Sequence, residues 1–237
     1  MSKYPIKIKV CGLTKSAQIQ ELISLNIDFL GFIFYERSPR FVLKSLSLEE
    51  IKDFEHSGKV GVFVNESVSK ILVIAKNAGL NYIQLHGDED ENFILELRRK
   101  LSKEIQIIKV VRIGNQLAGE LQKTLNNQPS AIDYFLFDTD SQSFGGTGKS
   151  FDWNILKNVK IDKPYFLSGG ISLENIQDLE SFVKGDLCEK KTFTNFTSPF
   201  ALDINSKFEI EPGDKDLKKI KEFKSLLLNQ KSLKNTP

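Results

Sequence analysis

A cysteine at position 11 closes the strand-like run "KIKVCG" near the start of the chain. Strand alternation puts Lys7 and Lys9 on the same face as Cys11, and it puts Ile8 and Val10 on the opposite face. If the apolar pair packs against helices, the thiol and the ammonium groups point toward a barrel axis. A nearby cation can lower the pKa of a thiol from about 8.5, and the thiolate can then act as a base. A lone cysteine is also commonly a small buried apolar residue, and that alternative stays open.

An aspartate, Asp138, follows the apolar stretch "YFLF" and precedes the glycine-rich loop "SFGGTGKSF". A carboxylate at the end of such a strand either caps the following loop or serves as an acid or base. Because glycines leave few side chains in the way, this loop can come close to a ligand, and we expect Gly146 to contact it. The stretch "GGTGKS" looks like a nucleotide-binding P-loop, but the P-loop pattern needs a glycine where this chain has Ser143. The P-loop interpretation is therefore disfavoured.

Two loops late in the chain predict an anion site. The stretch "LSGGIS" places Gly169 and Gly170 between a strand and a helix, where unpaired backbone N–H groups and the helix dipole favour an anion. The stretch "ALDINS" can add Asn205 and Ser206 to the same group. In α/β barrels, phosphates often bind at the loops after the seventh and eighth strands. Paired glycines also suit a tight turn without any ligand, so both alternatives stay open.

An arginine in the loop "YERSPRF" predicts a carboxylate-binding site. The guanidinium of Arg40 can form two hydrogen bonds to one carboxylate. Arg37 lies close enough in the sequence to compete for that role, and either side chain could instead be solvated.

Three further polar residues stand at predicted strand ends. Gln84 and His86, in "IQLHG", are expected to line the pocket, although a purely structural histidine is the simpler alternative. Asp203, in the eighth strand, would repel a phosphate. We expect its carboxylate to pair with Lys9 or to contact a substrate hydroxyl.

Eight short runs rich in β-branched and aromatic residues predict the strands that position these groups: "IKIKVCG", "DFLGFIF", "KVGVFVN", "NYIQLHG", "IQIIKVV", "DYFLFDT", "PYFLSGG" and "PFALDIN". Between them, stretches with apolar residues three and four apart predict helices, such as "SAQIQELISL", "SVSKILVIAKNAG", "DENFILELRRKL", "LENIQDLESF" and "DLKKIKEFKSLLL". This alternation implies parallel strands, and eight units fit a closed (β/α)8 barrel better than a doubly wound sheet. We predict an α/β protein, one TIM-barrel domain over residues 1–237, with frayed tails at 1–5 and 230–237.

Helix boundary signals support this assignment. Ser67 is suited to cap the helix of the third unit, and Gly79 is suited to end it. Asp88, Glu89 and Asp90 place negative charge where the fourth helix begins. In TIM barrels the active site lies at the carboxyl ends of the strands, where the candidate residues stand.

Composition excludes several classes of function. The 33 basic and 31 acidic residues give a net charge of +2, which provides no strong field for nucleic acid or anionic membranes. No leader-like or membrane-spanning run is present, which predicts a cytoplasmic protein without a membrane partner. The two cysteines, Cys11 and Cys188, and the two histidines lack the spacing of a disulfide framework or a metal site. We therefore expect no metal.

Taken together, these motifs resemble the phosphoribosylanthranilate isomerase family of tryptophan biosynthesis. The matching stretches are "KVCGLT", "GFIFYERSPRF", "VGVFVNE", "IQLHGDE", "LFDT" with "GGTGKSFDW", "LSGGISLENI" and "ALDINS…E…PGDKD". They cover nearly the whole chain in the family's order. By this resemblance "GGTGKS" is the sixth loop of a phosphosugar site. The chain departs from the family at Asn205-Ser206-Lys207, where many members have Ser-Ser-Gly, and in a longer segment around Cys188.

The resemblance implies a cofactor-free Amadori rearrangement, the aldose to ketose isomerisation of N-(5'-phosphoribosyl)anthranilate. It implies Cys11 as the general base, Asp138 as the general acid and Arg40 as the residue that binds the anthranilate carboxylate. A histidine-pathway isomerase is disfavoured because such enzymes typically use paired aspartates, and a noncatalytic phosphate sensor would need no acid and base. The sequence leaves the oligomeric state open between a monomer and a homodimer.

Overall fold

The structure, a computed structural model, describes residues 6–140, 151–185 and 198–229. In these ranges eight parallel strands form a closed barrel in sequence order, with β1 hydrogen-bonded to both β2 and β8. The strands are β1 (Lys7–Cys11), β2 (Phe29–Ile33), β3 (Lys59–Phe63), β4 (Tyr82–Leu85), β5 (Gln106–Ile113), β6 (Tyr134–Thr139), β7 (Tyr165–Leu167) and β8 (Ala201–Ile204). The predicted TIM barrel is confirmed, and the doubly wound sheet is excluded. The predicted tails, 1–5 and 230–237, lie outside the described residues.

Helices separate most of the strands. They are α1 (Ser16–Ser24), α2 (Leu48–Asp53), α3 (Val68–Asn77), α4 (Glu91–Lys100), α5 (Ala118–Asn126), α6 (Ile176–Gly185) and α7 (Leu217–Asn229). The predicted boundaries of α3 are confirmed, because the Ser67 side chain accepts a hydrogen bond from the Lys70 N–H and Gly79 follows the helix with φ +59°. Asp90 likewise caps α4 by accepting from the Phe93 N–H at 2.8 Å.

Two connections differ from a simple strand and helix alternation. Between β6 and β7 the described residues form a 3-10 helix, Trp153–Asn158, in place of an α-helix. After β8 a two-stranded antiparallel hairpin of β9 (Glu209–Glu211) and β10 (Asp214–Lys215) precedes α7. The sequence analysis predicted only the eighth strand in this part of the chain, in "PFALDIN", and the hairpin that follows it was not predicted.

The core has two layers, which the strand alternation separates. Ile8 and Val10 belong to the large apolar layer between the barrel and the helices. A smaller cluster fills the barrel interior and consists of Phe29, Val60, Ile108, Val110, Leu136, Phe166 and Ala201. The Lys7 ammonium lies over the Phe200 ring beside this cluster, 4.5 Å from the ring centroid. The predicted inward face of β1 is therefore confirmed.

No helix within the described residues is both long and apolar enough to cross a membrane.

Candidate active site

The candidate site lies at the carboxyl ends of the barrel strands, as the sequence predicted. Cys11 is the last residue of β1, Asp138 stands near the end of β6, and Asp203 lies within β8. Cys11 and Asp203 are buried, and the Asp138 side chain is 15% exposed. The Cys11 thiol packs against β2, where a Cβ atom on Gly31 would lie 2.9 Å from Sγ. A glycine at position 31 therefore leaves the room that the thiol occupies.

A buried ion pair forms the floor of this site. Lys9 and Asp203 are register partners on adjacent strands, and Nζ of Lys9 donates to Oδ2 of Asp203 at 2.9 Å. This confirms the expected pairing. The Lys9 side chain is completely buried, and its charge lies close enough to the Cys11 thiol to affect the pKa of that thiol. The second carboxylate oxygen of Asp203, Oδ1, is buried and accepts no hydrogen bond from any described residue. A ligand hydroxyl would supply the donor that this oxygen lacks.

The pKa of the Cys11 thiol shifts in the direction opposite to the one that a nearby cation alone would produce. Burial raises the pKa of Cys11 above its ordinary value of 9.0, and the effect of burial exceeds the lowering by Lys9. Asp203 raises that pKa further, whereas Lys215 lowers it. The expectation of a lowered thiol pKa is therefore wrong. The sequence placed the cation correctly but could not show that the thiol itself would be buried.

Asp138 has the properties of a proton donor near neutral pH. Burial, followed by the nearby charge of Asp203, raises the pKa of Asp138 to about 6. One oxygen, Oδ1, accepts from the Thr139 N–H at 2.9 Å, so Asp138 also contacts the start of the following loop. The other oxygen, Oδ2, lies 3.6 Å from Nε2 of His86. The Asp138 carboxyl group thus accepts a hydrogen bond from the backbone at the end of β6, and it can also be protonated near neutral pH.

His86 faces Asp138 as a neutral imidazole. Burial and the positive charges of Lys9, Arg112 and Lys109 lower its pKa to about 3. The Gln84 amide lies 3.0 Å from Nδ1 of His86, and Gln84 is buried. With the amide nitrogen as donor, Nδ1 accepts and Nε2 carries the hydrogen that points toward Asp138. His86 lies beside the acid and Gln84 lies beside His86, so His86 is more than a remote structural histidine.

A buried glutamate that sequence reasoning placed elsewhere holds two loops of the site together. Oε1 of Glu89 accepts from the backbone N–H groups of Asn65 at 2.9 Å and Gly87 at 3.1 Å. Oε2 pairs with Nζ of Lys109 at 2.8 Å. Glu89 was expected to add charge at the start of α4, but its side chain turns inward to join the loops after β3 and β4. The sequence signal near this role is that Glu89 closely follows the histidine and glycine of "QLHGDE".

Arg40 is buried, whereas Arg37 is exposed, so the structure separates the two candidates for carboxylate binding. Arg40 already holds one carboxylate, because Nε and Nη2 donate to Glu209 at 2.9 and 2.6 Å. Its side chain packs over the residue after Cys11, since a Cβ on Gly12 would lie 2.6 Å from Cδ of Arg40. Glu209 was quoted within a motif but not identified as a site residue.

The predicted phosphate loops lie side by side after β7 and β8. Gly169 and Gly170 have φ values of +84° and +71°, and the carbonyl of Gly170 accepts from the Asn175 amide at 2.8 Å. The backbone N–H groups of both glycines donate to no residue in the described ranges. Because α6 begins only at Ile176, the donors at the two glycines are loop N–H groups, and the contribution of the helix dipole stays a prediction.

In the loop after β8, Ser206 begins a 3-10 turn, Ser206–Phe208. Oδ1 of Asn205 accepts from Nζ of Lys215 at 2.8 Å, which directs that oxygen away from an anion. The backbone N–H groups of Asn205 and Ser206 form no hydrogen bond with other described residues. The backbone N–H groups of Asn205 and Ser206 can therefore bind an anion, whereas the Asn205 side-chain oxygen cannot.

Some predicted features lie outside the described residues. These are Gly146 with the rest of the 141–150 loop, and Cys188 with most of the 184–198 segment. Within the described ranges, no group of three or more His, Cys, Asp or Glu side chains could hold a metal ion.

Comparison with known proteins gives one consistent family. Residues 8–225 match the sequence model described as N-(5'phosphoribosyl)anthranilate (PRA) isomerase. The chain is 39% identical over 226 residues to the N-(5'-phosphoribosyl)anthranilate isomerase of Parabacteroides distasonis, covering 94% of this chain and 93% of that protein. It is 38% identical to the enzyme of the same name from Caldanaerobacter subterraneus, covering 92% and 96% of the two chains.

Solved structures agree with the sequence matches. The phosphoribosyl anthranilate isomerase of Thermotoga maritima has a TM-score of 0.70 and 31% identity, covering 94% of this chain and 99% of that one. A second structure of a phosphoribosyl anthranilate isomerase, with a TM-score of 0.67 and 30% identity, covers 92% and 96% of the two chains. It holds reduced 1-(o-carboxyphenylamino)-1-deoxyribulose 5-phosphate.

Proposed function

Because the chain belongs to the N-(5'-phosphoribosyl)anthranilate isomerase family, we propose that Cys11 and Asp138 are the general base and general acid of that family's reaction. The reaction is the isomerisation of N-(5'-phosphoribosyl)anthranilate to 1-(2-carboxyphenylamino)-1-deoxyribulose 5-phosphate in tryptophan biosynthesis. The observation that carries the proposal is a protonatable carboxyl, with a pKa of about 6, across one barrel mouth from a thiol.

The acid step opens the ribose ring. Asp138 gives its proton to the ring oxygen, the bond between C1 and that oxygen breaks, and the amine lone pair forms a C1=N bond. The product is an open-chain protonated Schiff base and an Asp138 carboxylate. His86 stands 3.6 Å away with a neutral Nε2–H, so it can donate to that carboxylate as the charge forms. His86 and Gln84 thus act on the substrate indirectly, because His86 stabilises the Asp138 carboxylate and Gln84 orients His86.

The base step follows from the iminium charge. A proton on C2 becomes acidic because the electrons it leaves behind form a C1=C2 bond and neutralise the nitrogen. The Cys11 thiolate takes this proton, giving an enolamine. The Asp138 carboxylate then takes the proton of the C2 hydroxyl and the C2=O bond forms, while the C1=C2 electron pair takes the proton held by Cys11 at C1. This gives the ketone and restores both protein groups. No oxidant, reductant or other co-reactant is consumed, so every step balances with two protein groups.

The remaining contacts hold the two ends of the substrate. Arg40 binds the anthranilate carboxylate, and Asp203 accepts from a sugar hydroxyl at its unpartnered Oδ1. Gly169 and Gly170, with the main chain of Asn205 and Ser206, hold the phosphate. Gly146, which lies outside the described residues, stays a predicted contact of the substrate. We also propose that the enzyme works in the cytoplasm, with no nucleic acid or membrane partner and without a cofactor.

The reaction itself is tested by adding the purified chain to freshly prepared phosphoribosylanthranilate. Fluorescence of the anthranilate group reports consumption of the substrate. Rapid consumption that depends on enzyme concentration is expected. Binding of the reduced product analogue without turnover would instead support a phosphate-ligand sensor.

The dependence of kcat/KM on pH follows from the two pKa values. The productive form has a thiolate and a protonated Asp138, so it carries one proton on the pair. Below about pH 6, both groups are protonated, and one proton must be lost. We expect kcat/KM to rise with pH through about 6, to stay level, and to fall above the raised pKa of Cys11, which exceeds 9.0. Initial rates at low substrate concentration from pH 5 to 10 measure this.

The substrate phosphate also titrates near pH 6, so the lower limb needs a control. Without Asp138, activity requires only loss of the thiol proton. The residual activity of Asp138→Asn should therefore keep rising with pH beyond 6, with no plateau. If its profile retained the limb near pH 6, the limb would belong to the substrate and the assignment to Asp138 would fail.

Replacing Gly170 with Ala should mainly raise KM. A φ of +71° is unfavourable for a residue with a Cβ, so the loop must shift and its N–H groups leave the phosphate. We expect KM to rise about tenfold with a small change in kcat, and inorganic phosphate to compete less strongly. Gly119→Ala is the matched control, because its Cβ would meet nothing within 4 Å. Normal phosphate competition in the Gly170 variant would place the anion elsewhere.

A further inference from the structure

The guanidinium of Arg40 is held along one edge only. Nε donates to both carboxylate oxygens of Glu209 at 2.9 Å, and Nη2 donates to Oε2 at 2.6 Å. Nη1 forms no hydrogen bond with any residue that the structure describes. The edge between Nη1 and Nη2 therefore keeps outward N–H groups that match a second planar carboxylate.

Glu209 is itself fixed by several contacts. Its Oε1 accepts from Nζ of Lys215 at 2.7 Å and from the Gly213 N–H at 3.0 Å. Both donors come from the β9–β10 hairpin. The hairpin is tied to the loop after β1, because the Thr14 hydroxyl donates to the Gly213 carbonyl at 2.7 Å. The glutamate thus has a defined position before any ligand arrives.

The charges of this cluster do not cancel. The side chains of Arg40, Glu209 and Lys215 are 10%, 3% and 0% exposed, so two cations share one anion away from bulk water. Burial lowers the pKa of Lys215, but the negative charge of Glu209 and the hydrogen bond to it oppose that change. With both cations charged, the cluster has one uncompensated positive charge. A ligand carboxylate would neutralise it.

We propose that Glu209, held by Lys215, is a positioning residue that locks Arg40 so that only its Nη1–Nη2 edge can bind the substrate carboxylate. This inference rests on the proposed role of Arg40. The lock selects a ligand with a planar carboxylate in a fixed orientation. Because Lys215 also donates to Asn205 at 2.8 Å, the same contacts connect the carboxylate site to the loop after β8.

The test compares binding of two ligands to the full chain. One is reduced 1-(o-carboxyphenylamino)-1-deoxyribulose 5-phosphate, and the other is the same compound without the carboxyl group. Glu209→Gln should weaken binding of the first by roughly 10- to 100-fold, the scale of a charge-assisted hydrogen bond, and of the second by less than about twofold. In turnover, KM should rise much more than kcat falls. Calorimetry and steady-state kinetics supply these values.

Glu211→Gln is the matched control, because Glu211 is an exposed acid on the same strand, β9. It should bind both ligands normally. The double variant Glu209→Gln/Lys215→Met separates orientation from charge, because it removes one charge of each sign and keeps the cluster at the same net charge. It also removes the unpaired lysine that could prevent the single variant from folding.

Three outcomes decide the question. Selective loss of the carboxylate ligand in both Glu209 variants supports the lock. Normal binding of the carboxylate ligand in the double variant overturns the lock, because the net charge of the cluster would then be sufficient for binding. In that case a selective loss of the carboxylate ligand in Arg40→Ala would still support the proposed role of Arg40. If Arg40→Ala weakens both ligands equally, the proposed role of Arg40 fails and the lock fails with it.

Discussion

Cys11→Ser is expected to lower kcat by roughly 100- to 10,000-fold, the usual contribution of a positioned acid or base. A serine hydroxyl is a far weaker acid than a thiol, so it offers almost no alkoxide to take the C2 proton. The change is also nearly isosteric. Since Sγ packs against Gly31, a slightly smaller oxygen fits the same space. Binding of the reduced product analogue should therefore change little.

Asp138→Asn tests the acid of the same pair and should cause a loss of similar size, because an amide cannot donate a proton to the ring oxygen. It should also stabilise the fold. The folded-state pKa of about 6 lies above the ordinary value of 3.8, so Asp138 favours folding when protonated and loses that contribution as pH rises through about 6. At pH 8 we expect the asparagine variant to be more stable by about 1–3 kcal/mol.

Three measurements on both variants decide the assignment: kcat by fluorescence, the free energy of unfolding by denaturant titration, and the Kd of the reduced product analogue by calorimetry. Loss of kcat with normal folding and binding supports the pair. A folded variant that binds the analogue and keeps more than about a tenth of wild-type kcat would contradict it, since the barrier would have changed by less than about 1.4 kcal/mol.

The barrel was predictable because each strand carries its own signal. In β1, alternation alone separated Ile8 and Val10 from Lys9 and Cys11, and the structure has those two faces. The order of strands then placed the chemistry at the carboxyl ends. The apolar alternation within each strand and the order of the strands both predict the same barrel, so each prediction supports the other.

The contacts within the site were less predictable, because they join residues that are distant in sequence. Arg40 and Glu209 form a close ion pair across 169 positions, and no spacing rule connects them. The raised pKa of Cys11 has the same origin, since burial depends on Gly31 and on strands from both ends of the chain. Residue types indicate which chemistry is available, but packing decides how each group is charged.

The hairpin after β8 was also not predictable from the sequence, for a different reason. Its strands, Glu209–Glu211 and Asp214–Lys215, are short and alternate imperfectly, so periodicity gives no clear strand signal. The turn residue Gly213, with φ +89°, was visible in the sequence, but its purpose was not. That purpose is to place a backbone N–H and Lys215 against one buried carboxylate.

Lys9→Met should be the most destabilising of the substitutions considered, because it leaves Asp203 charged and buried without its partner. Removal of one member of a buried pair costs about 3–5 kcal/mol, and Oδ1 of Asp203 already lacks a donor among the described residues. The double variant Lys9→Met/Asp203→Asn removes both charges and should regain most of that stability. Lys7→Met is the matched control on the same face of β1, where cation–π contacts with Phe29 and Phe200, worth about 0.5–2 kcal/mol each, are lost and no buried charge is left unpaired.

The same variants should separate the effect of Lys9 on the thiol from its effect on the fold. Lys9 lowers the pKa of Cys11 more than Asp203 raises it, so loss of both charges should still leave a smaller thiolate fraction. In a Cys188→Ser background, Cys11 is the sole thiol, and its alkylation by iodoacetamide at pH 8 reports that fraction. We expect the well-folded double variant to react about tenfold more slowly than the parent, equivalent to one unit of pKa. If it reacted as fast as the parent, Lys9 would be a partner for Asp203 alone, and the thiolate would have to be stabilised by Lys215 or by the bound substrate.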